Sequence, residues 1–190
     1  WPGRALCGRR VYPGGRALTA TSPARSSPPR PVNGVDLDTL VGTVQQFQAG
    51  PSLGACRFRA RNAWLGGSRN RSAVADFHGA GQDIPHLKTF EMEADEPPIL
   101  AGGDGAANPV EHLLHALASC LTTSMVAHAA VQGIAIEAIE SELEGDIDLN
   151  GFLGLDPDVP KGYSEIRVRF RMKARPEDLP RIRELAEFSP

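Results

Sequence analysis

Cysteine is scarce in this sequence, with only Cys7, Cys56 and Cys120 among its 190 residues. No two of them form a CxxC pair, and their spacing fits neither a zinc site nor a disulfide framework. Gly-rich phosphate loops and Ser-His-Asp arrangements are also missing. We interpret Cys7 as a tail residue and Cys56 as a strand residue. We therefore expect a reduced, cytoplasmic protein without a metal or another cofactor.

Acidic residues are absent from the first 35 residues, which hold six arginines and are rich in Pro, Gly and Ser. This segment cannot bury enough apolar surface to offset its chain entropy, so we predict that residues 1–35 are a disordered tail. A transit peptide and an upstream extension of the reading frame are alternatives. Subtracting the six arginines from 20 basic residues leaves 14 against 23 acidic ones, a charge of −9 for the remainder. Such a body has no general attraction to nucleic acid or anionic lipid.

Charged side chains are also absent from His112 to Ile136, the one stretch that resembles a membrane span. Histidines, serines and threonines interrupt it, and hydrocarbon would tolerate them poorly. We therefore predict a helix buried inside the protein and no membrane span. Within it, His112 and His115 lack a third ligand at suitable spacing, so we expect partly buried or interface histidines and not a metal site.

The chain after the tail predicts a helix followed by strands. Asp36 is placed to cap a helix whose apolar residues follow helical spacing, and Gly50-Pro51 ends it. Alternation from Cys56 to Trp64 predicts a strand, and Gly66-Gly67-Ser68 predicts the turn after it. The next two predicted strands run from Ser72 to His78 and from Leu87 to Ala94.

The second half contains the clearest helix of the sequence. Asn108 is placed as N-cap, Pro109 at the first helical position, and Glu111 completes a capping box. Strands are predicted from Ile134 to Leu149 and from Glu165 to Ala174, and a closing helix from Pro176. Strands grouped around single helices, without regular alternation, indicate one α+β domain over residues 36–190.

Cys120, in the middle of the predicted central helix, is the candidate nucleophile. A reactive cysteine must be held as a thiolate, which requires a helix N-terminus or a cation nearby. Cys120 lies about 18 Å along the helix from Asn108, too far for the helix dipole to act. A cation from elsewhere is required, and the arginines that follow the predicted turn, Arg69 and Arg71, are the candidates.

Each of these residues also has a structural explanation. Free cysteine is among the most buried residue types, so Cys120 can be a core residue. Arg69 and Arg71 can be solvated charges at a hairpin tip. The capping box alone explains Glu111, whose alternative role is to orient the arginine.

Several segments, in the right order, resemble the OsmC/Ohr (organic hydroperoxide resistance) family over about residues 35–190. They are Asn108-Pro109-Val110-Glu111-His112-Leu113-Leu114 leading to Ala116-Leu117-Ala118-Ser119-Cys120, Trp64-Leu65-Gly66-Gly67 with the arginines after it, residues 144–154, and Phe188-Ser189-Pro190. The resemblance implies an intertwined homodimer in which antiparallel sheets wrap long buried central helices, with two active sites at the subunit interface. It also implies thiol-dependent reduction of organic or fatty-acid hydroperoxides in oxidative-stress defence. Cys120 is similar to the peroxidatic residue of this family, and Arg69 to the arginine that stabilises its thiolate.

Two positions depart from the family pattern. Well-characterised members place the catalytic carboxylate immediately after Asn-Pro, where this chain has Val110, and Glu111 follows about 100° further round the helix. Ser189 stands where the resolving cysteine usually lies, so a sulfenate at Cys120 would need an external thiol reductant. We place the chain in an OsmC-like branch without that cysteine and expect it to be truncated after Pro190. The alternative function is non-catalytic binding of a lipid or small hydrophobic ligand in the dimer cleft.

Overall fold

The computed structural model describes residues 31–187. The predicted tail as far as residue 30, Cys7 and Ser189 lie outside these described residues. The described part is mixed helix and sheet, and its sheet pairings are antiparallel, which confirms the predicted α+β class.

The helices and strands follow one another in groups. The helices are α1 (Leu37–Ala49), α2 (Pro109–Val131), α3 (Leu149–Phe152) and α4 (Leu179–Glu187). The strands are β1 (Arg57–Phe58), β2 (Arg61–Gly66), β3 (Arg69–Gly79), β4 (Gln82–Ala94), β5 (Ile136–Ile147) and β6 (Tyr163–Ala174). Short 3-10 turns occur at Pro51–Gly54, Pro98–Leu100 and Pro176–Asp178.

The first sheet is built on β3, which pairs with β4 along one edge and with β1 and β2 along the other. The strand predicted from Cys56 to Trp64 is interrupted after Phe58. At this interruption the Arg59 guanidinium binds Asp76 at 2.7 Å and Asp83 at 2.8 Å, bridging β3 and β4. The strands predicted at Ser72 and Leu87 begin earlier than expected, at Arg69 and Gln82.

The second sheet consists of β5 and β6, paired over almost their whole length. The alternation predicted for β6 is confirmed in its C-terminal half, where Phe170 and Met172 pack on the core and Arg169, Arg171 and Lys173 stay exposed. Ile166 and Val168, predicted on the same face as Phe170, are exposed in the described chain. The exposed face is a ladder of ion pairs that includes Lys173 with Glu137 at 2.7 Å. The chain then turns through the 3-10 segment into α4, where the closing helix was predicted.

The core lies where the C-terminal half of α2 meets the second sheet and α4. Met125 and Ala129 of α2 pack with Ile134, and with Ile182 and Leu185 of α4. Ile136, Ile139, Phe170, Met172 and Ala174 of the second sheet complete this cluster. The second half of α2 therefore packs in the core, whereas its first half faces the first sheet.

Helix α2 is less buried than the sequence predicts. Within the described chain only Leu121, Met125, Ala129 and Ala130 of this helix are buried, because the other described elements pack against a single stripe of it. Its length and apolar composition match those of a membrane span, a test that the core helix of a soluble protein also passes.

The folded part of the described chain includes residues that precede the predicted boundary at Asp36. Val32 and Val35 form an isolated bridge around a turn at Asn33. The Asn33 side chain donates to the carbonyl of Ile134 and accepts from the amide of Ile136, at 2.9 and 2.8 Å. This side chain continues the edge of β5, so residues 32–35 belong to the folded unit.

Candidate active site

The N-terminus of α2 is fixed by a reciprocal cap. The Asn108 side chain accepts from the Glu111 amide at 2.9 Å, and the Glu111 carboxylate accepts from the Asn108 amide at 2.8 Å. The predicted capping box is confirmed. Within the described chain, the Glu111 carboxylate makes this contact and none to an arginine.

Cys120 lies on the exposed side of α2. The prediction that it is an interior residue is wrong for a single chain, since its side chain is exposed. Its position five residues before Met125 turns it about 140° away from the buried stripe. Leu113, Ala116 and Thr123, which follow the same helical spacing, are exposed too. These four residues form an uncharged stripe, here called the thiol stripe.

The two candidate arginines meet at one carboxylate, that of Glu93 on β4. Arg71 donates from Nη2 and Nε to the same Glu93 oxygen, Oε1, at 2.6 and 3.1 Å, and Arg69 donates from Nη2 to Oε2 at 3.2 Å. These contacts hold the pKa of the Glu93 carboxyl below its usual value, the hydrogen bond from Arg71 being the largest cause. Glu93 was not predicted from the sequence, because it lies 22 and 24 residues from its two arginine partners.

The arginines face away from the α2 helix of their own chain. Arg71 pairs with Glu93 across β3 and β4, whereas Ser72 pairs with Met92. Successive residues of a strand point to opposite faces, so these two pairs lie on opposite faces of the sheet. Ser72 and Met92 face α2, which places Arg71 and Glu93 on the outer face. Within residues 31–187 of one chain, no hydrogen bond or ion pair joins Cys120 to Arg69 or Arg71.

A cleft of about 350 Å³ separates the inner face of the first sheet from the first half of α2. Its lining mixes amides, hydroxyl and imidazole groups with apolar side chains: Asn62, Asn70, Ser72, Met92, Ala94, Pro109, His112, His115 and Ala116. His112 Nε2 lies 2.9 Å from the Glu93 carbonyl and therefore donates the proton of this bond. In the described chain no three His, Cys, Asp or Glu side chains are grouped as metal ligands.

Asp95 connects the hairpin turn to the loop that leads into α2. Its carboxylate is buried and accepts from the Ser68 hydroxyl at 2.6 Å and from the amides of Glu96, Gly103 and Gly105 at 2.9 to 3.2 Å. These donors lower the pKa of the Asp95 carboxyl, the Ser68 hydroxyl contributing most. The role of Asp95 was not predicted from the sequence. The signal for it was an acidic residue a few positions before the glycine-rich segment whose amides it binds.

Tyr163 joins the second sheet to the start of α2. Its hydroxyl donates to the Val110 carbonyl at 2.8 Å, and its ring occupies the space beside Gly145 that a side chain would need. Burial, and secondarily the nearby charge of Glu111, raises the pKa of the Tyr163 hydroxyl. The helix start is therefore held from both sheets, by Asp95 with its loop and by Tyr163.

One chain thus presents two halves of a thiol site without joining them. An accessible sulfur lies on the thiol stripe, and a guanidinium pair lies on the outer face of the first sheet. A thiol beside a guanidinium can be held as a nucleophilic thiolate. Within the described residues of one chain, the thiol and the guanidinium pair do not meet.

Comparison with known proteins finds a family match in the second half of the chain. Residues 102–189 match the protein family described as OsmC-like protein. The OsmC-like protein from Mycoplasma pneumoniae has a similar structure, with a TM-score of 0.52 at 19% identity over 70% of this chain and 79% of that one. A Psychrobacter arcticus protein, described as an osmotic stress induced and detoxification response protein, has a TM-score of 0.50 at 18% identity over 69% of this chain and 82% of that one. No curated protein matches the chain by sequence. The match contains α2, β5, β6 and α4. Together with the fold shared by both structures, it supports membership of the OsmC-like family.

Proposed function

We propose that the protein is a thiol-dependent peroxidase that reduces organic or fatty-acid hydroperoxides at Cys120. The observation that carries this proposal is an accessible thiol with no partner among residues 31–187, on the helix that lies inside the OsmC-like match. The match to the OsmC-like family supports a stress-response redox role. We extend this to a cytoplasmic peroxidase that needs no metal or other cofactor.

In the proposed reaction the Cys120 thiolate attacks the distal oxygen of the hydroperoxide. The sulfur–oxygen bond forms as the oxygen–oxygen bond breaks, the alkoxide leaves and takes a proton to become the alcohol, and the sulfur is oxidised to sulfenic acid. A small-molecule or protein thiol then condenses with the sulfenic acid, releasing water and leaving a mixed disulfide. A second external thiol reduces that disulfide and restores Cys120.

We propose a homodimer as the active form. The thiol stripe and the inner face of the first sheet leave uncharged surface open, including Leu113, 60% exposed, and Trp64, 76% exposed. A second copy covers such surface with its own apolar surface, and a twofold interface is self-complementary. We propose that the dimer also brings Arg69, on the outer face of one first sheet, to Cys120 of the other chain.

Intact-mass analysis after stoichiometric cumene hydroperoxide tests the proposal. We expect the wild type to gain about 16 Da, the mass of one oxygen on a sulfenic acid. Cys120→Ser should remain unmodified. Cys56→Ser is the matched control, because Cys56 is the other exposed thiol of the described chain, and it should keep the adduct. No adduct on the wild type, or an equal adduct on Cys120→Ser, contradicts the peroxidase.

The cleft supports a second candidate function, the binding of a lipid or small hydrophobic ligand without catalysis. Its volume of about 350 Å³ is within the range of small-molecule sites, and apolar groups line much of it. Native mass spectrometry with added fatty acid tests this function, and the absence of a bound species counts against it. The pH dependence of Cys120 alkylation separates the candidates, since a midpoint near about 8.5 indicates an ordinary thiol and one below about 7 indicates the enzyme.

A further inference from the structure

Glu93 carries the further inference, because it is the one described carboxylate that contacts both candidate arginines. Glu111, the carboxylate expected to orient an arginine, is bound to the Asn108 amide instead. The outer-face contacts of Arg69 and Arg71 are both to Glu93. Within one described chain, the carboxylate that contacts the arginines therefore lies on β4 and not at the start of α2.

We infer that Glu93 is the positioning residue for the arginine that stabilises the Cys120 thiolate, a role that rests on the proposed peroxidase function. Glu93 does not touch the reacting atoms in this arrangement. It acts by fixing the direction of a guanidinium that a second chain meets at its thiol stripe.

The contacts assign different roles to the two arginines. Arg71 engages Glu93 along its Nε–Nη2 edge, with both donors on one oxygen, which fixes the guanidinium and the carboxylate together. Arg69 offers a single Nη2 donor at the longer distance of 3.2 Å, so most of its donors have no partner among the described residues. Arg71 is thus the anchor of Glu93, and Arg69 is the guanidinium with donors available for a thiolate.

Glu93 also connects this outer face to α2. Its backbone carbonyl accepts from His112 on α2 at 2.9 Å, while its side chain reaches the arginines on the other face of the sheet. The charged or titratable groups that face it are Arg69, Arg71 and, through the backbone contact, His112. Glu91 lies two residues away on the same face of β4 and contacts neither arginine by a hydrogen bond or ion pair in the described chain.

Glu93→Gln distinguishes positioning from simple charge neutralisation by the sign of its effect. The measurement is the midpoint pH of Cys120 alkylation in the full chain, followed by peptide mass mapping so that other cysteines do not contribute. If Glu93 positions Arg69, the variant loosens the guanidinium and the midpoint rises, by about one pH unit. If Glu93 only offsets arginine charge, removing its negative charge lowers the midpoint.

Two further variants make the result specific. Glu91→Gln removes an equal charge from the same strand face without breaking a guanidinium contact, and it should leave the midpoint unchanged. Arg71→Lys keeps the charge but cannot supply the same pair of donors to Glu93, so it should raise the midpoint pH of Cys120 alkylation. This variant replaces Glu93→Gln as the test if Glu93→Gln does not fold. Glu93→Asp, which keeps the charge on a shorter side chain, should recover part of the wild-type value.

The outcomes separate this inference from the proposed function. An ordinary wild-type midpoint near about 8.5 overturns both. A low wild-type midpoint that Glu93→Gln leaves unchanged or lowers overturns the role of Glu93 alone. The same holds if Glu111→Gln raises the midpoint and Glu93→Gln does not.

Discussion

The Ser68 hydroxyl donates a hydrogen bond of 2.6 Å to the buried carboxylate of Asp95, across 27 residues of sequence. Ser68 immediately precedes Arg69, and Asp95 opens the loop that leads to the cap of α2. This contact therefore ties the arginine-bearing turn to the loop before the cysteine-bearing helix. Its loss should disturb the site as well as the stability of the fold.

Ser68→Ala should lower the free energy of unfolding by about 1–2 kcal/mol, because a buried carboxylate loses one of its donors. Denaturant titration followed by circular dichroism measures this change. Ser52→Ala, at an exposed serine that makes no side-chain hydrogen bond in the described chain, is the control and should be neutral. Equal stability of the Ser68 variant and the wild type would contradict the proposed role of this contact.

The stabilisation from Asp95 should disappear in acid. The pKa of its carboxyl is lower in the folded chain than in the unfolded one, so the folded state binds fewer protons. The contribution of Asp95 to the free energy of unfolding is complete above the pKa of the carboxyl in the unfolded chain, about 3.9. It is lost as the pH falls through the lower pKa of the folded chain. Denaturant titrations of the wild type and Asp95→Asn should therefore differ most between about pH 5 and pH 7 and converge below about pH 4.

Asp104→Asn is the control for this pH series. Its carboxylate lies in the same loop and makes no hydrogen bond among the described residues. We expect the difference between this variant and the wild type to stay small at every pH. If the difference in free energy of unfolding between Asp95→Asn and the wild type does not change with pH, it comes from altered packing or hydrogen bonding and not from the loss of a charge.

Local signals in the sequence were sufficient for the helix starts and for β6. The caps at Asp36 and Asn108 are contacts between residues three apart, so a short window of sequence contains both partners. The alternation around Phe170 likewise needs only its neighbours. These parts of the fold could be predicted because the interactions that define them are local.

The pairing of Arg71 with Glu93 could not be predicted because it depends on an irregular register. The β3–β4 turn pairs Gly79 with Gln82, and counting outward from it would place Arg71 opposite Phe90. The register shift between Val74 and Asp76 moves the partner of Arg71 three residues further, to Glu93. A bulge of this kind has no reliable local sequence signal.

The exposure of Cys120 was missed for a different reason. Its uncharged helix is typical of a buried core element, and the sequence does not state which surfaces of that helix belong to a second chain. Only Leu121, Met125, Ala129 and Ala130 find buried positions within one chain. The apolar pattern of the helix correctly predicted that these four residues are buried. It could not distinguish them from the apolar residues on the surface proposed for the dimer.

Met125→Ala should strongly destabilise the protein. The Met125 side chain is 1% exposed and contacts residues from both ends of the core. Truncation leaves a cavity that the surrounding helices and strands cannot fill, at a cost of about 2–5 kcal/mol in the free energy of unfolding. Denaturant titration measures the loss. Leu155→Ala, at a loop leucine that is 70% exposed, should change stability little, and an equal loss in both variants would contradict this core assignment.

Leu113→Lys should dissociate the proposed dimer without unfolding the protomer. Leu113 lies on the thiol stripe, about two helical turns from Cys120. Its exposed position lets a lysine be solvated in an isolated chain. In a dimer the same lysine would be buried against an uncharged surface, and an unpaired buried charge is strongly unfavourable. Sedimentation equilibrium should show a dimer for the wild type and for Leu155→Lys, and a monomer for Leu113→Lys. A monomeric wild type, or a Leu113→Lys variant that remains dimeric, would require another way of bringing an arginine to Cys120.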